Sequence, residues 1–293
     1  MNNFTSNSDG LPSLSFGVTP TADAAFRFYR LLDQALAPEQ TDYTLSLSPT
    51  WHDIDVLDEM ALTGALELTL LSIPAYANVQ ERYRLLPCGA RFGNGFGAMV
   101  VTYNPLERVA LGNIRIGVPG VCNSGFLALS LFLPDTFVYA LIADDQLRES
   151  VVSGDVDAAL LTGEEQLTHQ ALGLYNVVDL GAWWQEQTNL LFPLEALAVR
   201  RDVPIERQQQ IVQAVQSSFE HSRIHQKAAL EYAFSFARKM DRETTAAYVS
   251  MYVTEQSRHI DAAGQASILS FLEYGARNGL LPSVLELDIQ AVS

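Results

Sequence analysis

Up to Arg200 the sequence alternates short apolar runs with amphipathic stretches, and from Pro204 onward no strand pattern returns. The runs at 14–18, 43–47, 66–71, 98–102, 115–118, 138–142, 155–161, 177–180 and 194–199 read as strands. Helical patterns fill 24–36, 55–63, 75–79, 124–132 and 146–153, the second of them closed at Gly64. The tail reads as helices at 205–223, 225–239, 242–253 and 261–279. Such alternation predicts an α/β fold, with a mostly parallel sheet covered on both faces. A tail without strands must pack on something already formed, and the first lobe is the natural surface. The expected organisation is therefore residues 1–103 in lobe 1, 104–197 in lobe 2, and 198–293 back on lobe 1. Two lobes joined by two crossings leave a cleft, a usual place for a ligand.

Charge narrows the ligand. A net charge of −16 over 293 residues opposes nucleic acid and anionic membrane surfaces. No apolar run reaches the roughly 20 residues of a membrane span, so no membrane insertion is expected. The opening residues lack the basic region and apolar core of a secretory signal, which reads as a cytoplasmic protein. The two cysteines, Cys88 and Cys122, and the five histidines show no metal-ligand spacing. A homodimer stays open.

Four strand ends pass into helices through small polar residues: Thr19 to Asp23, Ser72, Asn123-Ser124-Gly125, and Thr162. Each helix start offers unpaired N–H groups, which can hold a small carboxylated or aromatic ligand or can simply be capped by these side chains. The glycines at 93, 95 and 97 lack the lysine and the strand–helix context of a phosphate loop, and read as a turn and chain crossing. Trp183-Trp184 reads as packing, and Arg200-Arg201 as an ion-paired crossing.

Several segments carry a wider likeness: GDVDAALLTGEEQ, VVDLGAWWQEQTNLLFPLEALAVRRD, DEMALTGALELTLLSIPAYANV and the tail KAALEYAFSFARKMDRETTAAYVSMYV. In these the chain resembles the 1,4-dihydroxy-6-naphthoate synthases of the futalosine route to menaquinone. The resemblance implies a two-lobed, periplasmic-binding-protein-like fold of type II. It also implies a lyase that converts cyclic dehypoxanthine futalosine to 1,4-dihydroxy-6-naphthoate without metal or organic cofactor. The family's substrate-binding segment falls on Leu70, Leu71 and Ser72, and its small-residue pair at the second lobe's helix start falls on Ser124 and Gly125.

Two departures stand out. The family's proton-accepting histidine, in a motif of the type I-H-E-G-Q, aligns with Gly163. The family's S-P-C-P-N-D-T-F has become TPTADAAF, with Asp-Ala-Ala at 23–25. The candidates for a replacement base are Glu164, Glu165 and His169. His169 lies about 9 Å further along a helix at 1.5 Å per residue, and the glutamates are nearer. Thr162 and Glu165 also fit a capping box, which would occupy Glu165 structurally. The resemblance supports a lyase. The lost histidine supports a non-catalytic binding protein on the same scaffold, or an enzyme repurposed for a related compound.

Overall fold

The computed structural model describes residues 13–33, 45–133, 136–238, 240–284 and 286–290. Strand β1 (Leu14–Val18) leads into α1 (Ala22–Arg27) and α2 (Tyr29–Leu32). The single helix expected over 24–36 is interrupted at Phe28, where ψ turns to 18°. There the Phe28 ring packs edge-on to Phe16 with centroids 5.3 Å apart. Next come β2 (Leu47–Trp51), α3 (Ile54–Thr63), β3 (Leu68–Ser72) and α4 (Ile73–Val79). Gly64 ends α3 in the left-handed region, as its sequence position implied. The strand expected at 43–47 is displaced to β2, and residues 43 and 44 lie outside the described residues. Two short strands, β4 (Tyr83–Leu85) and β5 (Arg91–Gly93), have no periodic signal long enough to read.

The second lobe holds β6 (Met99–Thr102), β7 (Arg115–Val118), α5 (Ser124–Phe132), β8 (Val138–Leu141) and α6 (Leu147–Ser153). It continues through β9 (Ala158–Leu161), α7 (Glu165–Thr168), β10 (Tyr175–Asp179) and α8 (Leu180–Thr188). Strand β11 (Phe192–Arg200) then returns to the first sheet. The tail is α9 (Ile205–Ile224), α10 (Gln226–Phe234), α11 (Arg242–Tyr252), α12 (Glu255–Arg258) and α13 (Ala262–Arg277).

The first sheet has the order β2-β1-β3-β11-β4, with β5 also on β11; the second is β10-β6-β9-β7-β8. Both are mixed rather than mostly parallel. β11 runs antiparallel to β3, β4 and β5, and β6 runs antiparallel to β9 and β10. These are the strands that follow the two crossings: each enters its sheet from the other lobe, against the direction of the βαβ strands. β6 belongs to the second sheet, so the chain passes from the first sheet to the second over 94–98 and returns over 189–191.

Glycine is required where the crossings touch. A Cβ on Gly97 would stand 2.4 Å from the Phe192 ring, and one on Gly93 would stand 1.9 Å from the Phe96 carbonyl oxygen. The G-x-G-x-G run is thus a crossing. Beside it Trp184 is buried, donates to the Leu191 carbonyl at 3.0 Å, and meets Phe271 and Tyr274 edge-on. The tryptophan pair is packing, as read. Helices α9, α10 and α11 lie on α1, and α13 lies on α4 and β11, so the tail does cover the first lobe. Among the described residues, no helix is long and apolar enough to cross a membrane.

Candidate functional site

A cleft opens between the two sheets. Its floor is formed by β5 and β11, and its walls by the loop after β1, the start of α3, and the turn after β9. At the floor four buried charges meet. Arg27 donates to Asp23 at 3.0 Å, to Glu195, and to the Gly89 carbonyl at 2.6 Å. Arg91 stands opposite Glu195 in the β5–β11 register, 3.5 Å from Asp23 Oδ1 and 3.8 Å from Glu195 Oε1. Two carboxylates and two guanidiniums cancel, which is what burial demands. Burial opposes ionisation of Asp23, but Arg91 and Arg27 hold its carboxyl below the usual range.

The turn after β9 carries the Gly163 position. The expected capping box is absent: α7 starts at Glu165 behind Glu164, and no side chain caps it. Beside it Arg238, from the segment after α10, donates its backbone N–H to Glu164 Oε2 at 3.1 Å. Glu164 Oε1 is buried without a hydrogen-bond partner. Burial raises the Glu164 carboxyl above its ordinary value, against the backbone N–H groups of Arg238 and Ala22.

Of the residues expected to bind or react, Thr19, Glu164 and Glu165 line this cleft, beside Gly163. Asp23 lies beneath its floor, fully buried. Leu70 and Leu71 are core residues of β3. Ser124 donates to the Leu194 carbonyl at 2.9 Å, and Gly125 packs on Ala98 and Thr162. Asn123 caps α5 by accepting from Phe126 and reaches Asp55 at 3.2 Å. His169 is buried, with Nδ1 2.7 Å from the Gln166 carbonyl, and does not line the cleft.

Ser72 ties the lobes together. Its Oγ lies 2.5 Å from Asp58 Oδ2 and 2.8 Å from the Cys122 carbonyl, and one hydroxyl proton cannot serve both. Burial pushes Asp58 well above the usual carboxylate range. The Ser72 N–H also donates to Asp58 Oδ1 at 2.9 Å, so the residue stands between the Asp58 carboxyl of one lobe and the Cys122 carbonyl of the other. The Cys122 thiol is itself raised by burial, then by Asp58, Asp55 and Glu59, which keeps it out of thiolate chemistry. Sequence reasoning missed Arg91 and Arg238 altogether. Arg238 pairs with Asp53 at 2.5 Å and approaches Asp144 at 3.7 Å, bridging the two lobes across the cleft mouth.

Among the described residues seven carboxylates line the cleft against two guanidiniums, so a free anion approaches against their field. Burial pushes Asp144 up to about 6, with Arg238 opposing and Glu165, Asp53 and Asp55 adding to the rise. A carboxyl raised by folding stabilises the fold while protonated. That contribution is complete below the ordinary 3.8 and is lost as pH climbs through about 6. The thermal midpoint should therefore fall as pH is raised from about 5 to about 7.5, and Asp144→Asn should flatten the change. A midpoint that rises over this interval would contradict the assignment.

The sequence pattern of the menaquinone biosynthesis family matches residues 14–277. The chain belongs to that family. It is 34% identical over 274 residues to a 1,4-dihydroxy-6-naphthoate synthase of Thermus thermophilus, covering 93% of this chain and 98% of that one. A crystal structure of an Archaeoglobus fulgidus protein superposes with a TM-score of 0.86 at 32% identity, covering 92% and 98% of the two chains. A Candida albicans protein described as having the generic periplasmic binding protein fold gives a TM-score of 0.72 at 14% identity, covering 96% of each. The fold is thus the two-lobed α/β, periplasmic-binding-protein-like architecture expected of the family.

Proposed function

We propose that this member of the menaquinone biosynthesis family is a lyase of the 1,4-dihydroxy-6-naphthoate synthase type in which Glu164 replaces histidine as proton acceptor. The observation that carries the reading is the placement of Glu164. It is the residue next to Gly163 and lines the same cleft, with one carboxylate oxygen held by the Arg238 N–H and the other without a hydrogen-bond partner among the described residues. A general base needs that combination of a fixed side chain and a free lone pair. Its raised pKa makes it a stronger base than an ordinary glutamate once it is ionised. His169 is too far back in the core for the role, and Glu165 opens α7 one residue further on.

The substrate class carries over from the relatives' activity as a carboxylated aromatic ring system. Turnover of cyclic dehypoxanthine futalosine should be slow beside histidine-bearing relatives, because a carboxylate is the weaker base at neutral pH. Glu164→Gln should reduce the release of 1,4-dihydroxy-6-naphthoate by about 10²-fold or more while leaving substrate affinity close to wild type. Equal turnover by that variant would remove Glu164 from the mechanism. Tight binding with no product from the wild type would instead favour a binding protein on this scaffold, a reading helped by the absence of the family's histidine from Gly163.

A further inference from the structure

We propose that Arg91 is the residue that takes the ligand's carboxylate, an inference that rests on the carboxylated aromatic class argued above. The helix starts were expected to hold an anion without an arginine. The described structure gives those groups other work. Asn123 is spent on capping α5 and Ser124 on the Leu194 carbonyl, and Ser72 bridges Asp58 and Cys122. Among the described residues three cations lie in or beneath the cleft: Arg27, Arg91 and Arg238.

Arg27 is excluded by its place. It does not line the cleft, and its two Nη groups are taken by Asp23, Glu195 and the Gly89 carbonyl. Arg238 is already paired to Asp53 and stands at the exposed mouth. Arg91 differs from both. Its side chain is 11% exposed and lines the cleft. Its Nη1 donates to the Tyr248 hydroxyl at 3.2 Å, and its guanidinium sits 5.0 Å from the centroid of the Tyr252 ring. Those contacts fix its plane.

The Nε of Arg91 is nevertheless a buried donor without a hydrogen-bond partner among the described residues, because Glu195 Oε1 at 3.8 Å is beyond hydrogen-bond range. A buried, unsatisfied donor on a rigid guanidinium at the floor of a ligand cleft needs an acceptor. A carboxylate fits the planar fork of an arginine better than any neutral acceptor does. In the Asp23–Arg27–Glu195 cluster Arg27 makes the hydrogen bonds to both carboxylates, while Arg91 meets them only at 3.5 and 3.8 Å and keeps its Nε donor unused. Asp23, Arg27 and Glu195 are therefore positioning residues, and Arg91 is the contact. Because the seven carboxylates oppose an incoming anion, selection for the carboxylate acts at the floor and not at the mouth.

The test uses calorimetric titration of the intact protein with 2-naphthoate and, separately, with uncharged 2-naphthamide. Wild type should prefer the naphthoate by roughly tenfold, the scale of one charge-assisted hydrogen-bonded pair. Arg91→Gln should erase that preference while holding naphthamide affinity within about threefold, and Arg91→Lys should keep part of it. Circular dichroism on each variant separates lost binding from lost folding, and the two-ligand comparison on wild type needs no variant at all. Equal affinity of wild type for the two ligands overturns the assignment while leaving the aromatic cleft intact. A preference that survives in Arg91→Gln also overturns it. Failure of wild type to bind either compound overturns both this inference and the substrate class beneath it.

Discussion

Gly163→His is expected to raise turnover of cyclic dehypoxanthine futalosine by about 10²- to 10⁴-fold, the usual contribution of a well-placed general base. The backbone permits the change. Among the described residues a Cβ at Gly163 would meet only Asp144 Oδ2, at 3.8 Å, so the turn accepts a Cβ without a clash. Asp144 would then lie beside the new imidazole, and a carboxylate partner fixes the tautomer and raises the ring's basicity. The substitution puts an imidazole into the turn where the proposed reading has none. A gain measured as product release per active site would show that the remainder of the cleft still fits the substrate. No gain, with the variant folded, would mean that the floor and walls have also been reshaped.

The second large effect concerns stability. Arg27→Met should destabilise the protein by about 3–5 kcal/mol, the cost of leaving buried charges without their partner. Asp23 and Glu195 would retain only Arg91, at 3.5 and 3.8 Å and without a hydrogen bond. Combining Arg27→Met with Glu195→Gln should recover part of the loss, since one of the stranded carboxylates is then neutral. Urea unfolding at neutral pH measures both. A single variant that loses less than about 1 kcal/mol would show the four charges to be independent rather than a network.

Elements whose periodicity lies within one segment were legible in the sequence. β1 falls on the predicted residues, α3 ends at Gly64, and the boundaries of α5, α9 and α13 lie within two residues of expectation. The family scaffold was legible for the same reason: the segments around GDVDAALL and VVDLGAWW are contiguous. What failed depends on distant partners. Strand direction in β6 and β11 is decided by the crossings, and nothing in an apolar run encodes it. The Arg238 N–H that holds Glu164 comes from 74 residues further on, a partner that no local pattern around Thr162 records. Arg91 sat in a segment read only for its glycines. Its importance appears when α1, β5 and β11 bring Asp23, Arg27 and Glu195 around it. A buried charge cluster assembled from three separate elements leaves no spacing to find.

The pH dependence of a single turnover tests the central claim most directly. With enzyme in excess over cyclic dehypoxanthine futalosine, the rate of 1,4-dihydroxy-6-naphthoate release follows the proton-accepting step in place of product departure. If Glu164 is the base, the rate falls as pH falls through one ionisation lying above that of an ordinary glutamate, as burial requires. That ionisation disappears with Glu164→Gln, and a histidine ionisation takes over in Gly163→His. A rate that keeps the same pH profile in Glu164→Gln, or a wild type that forms no product at any pH, would contradict the account.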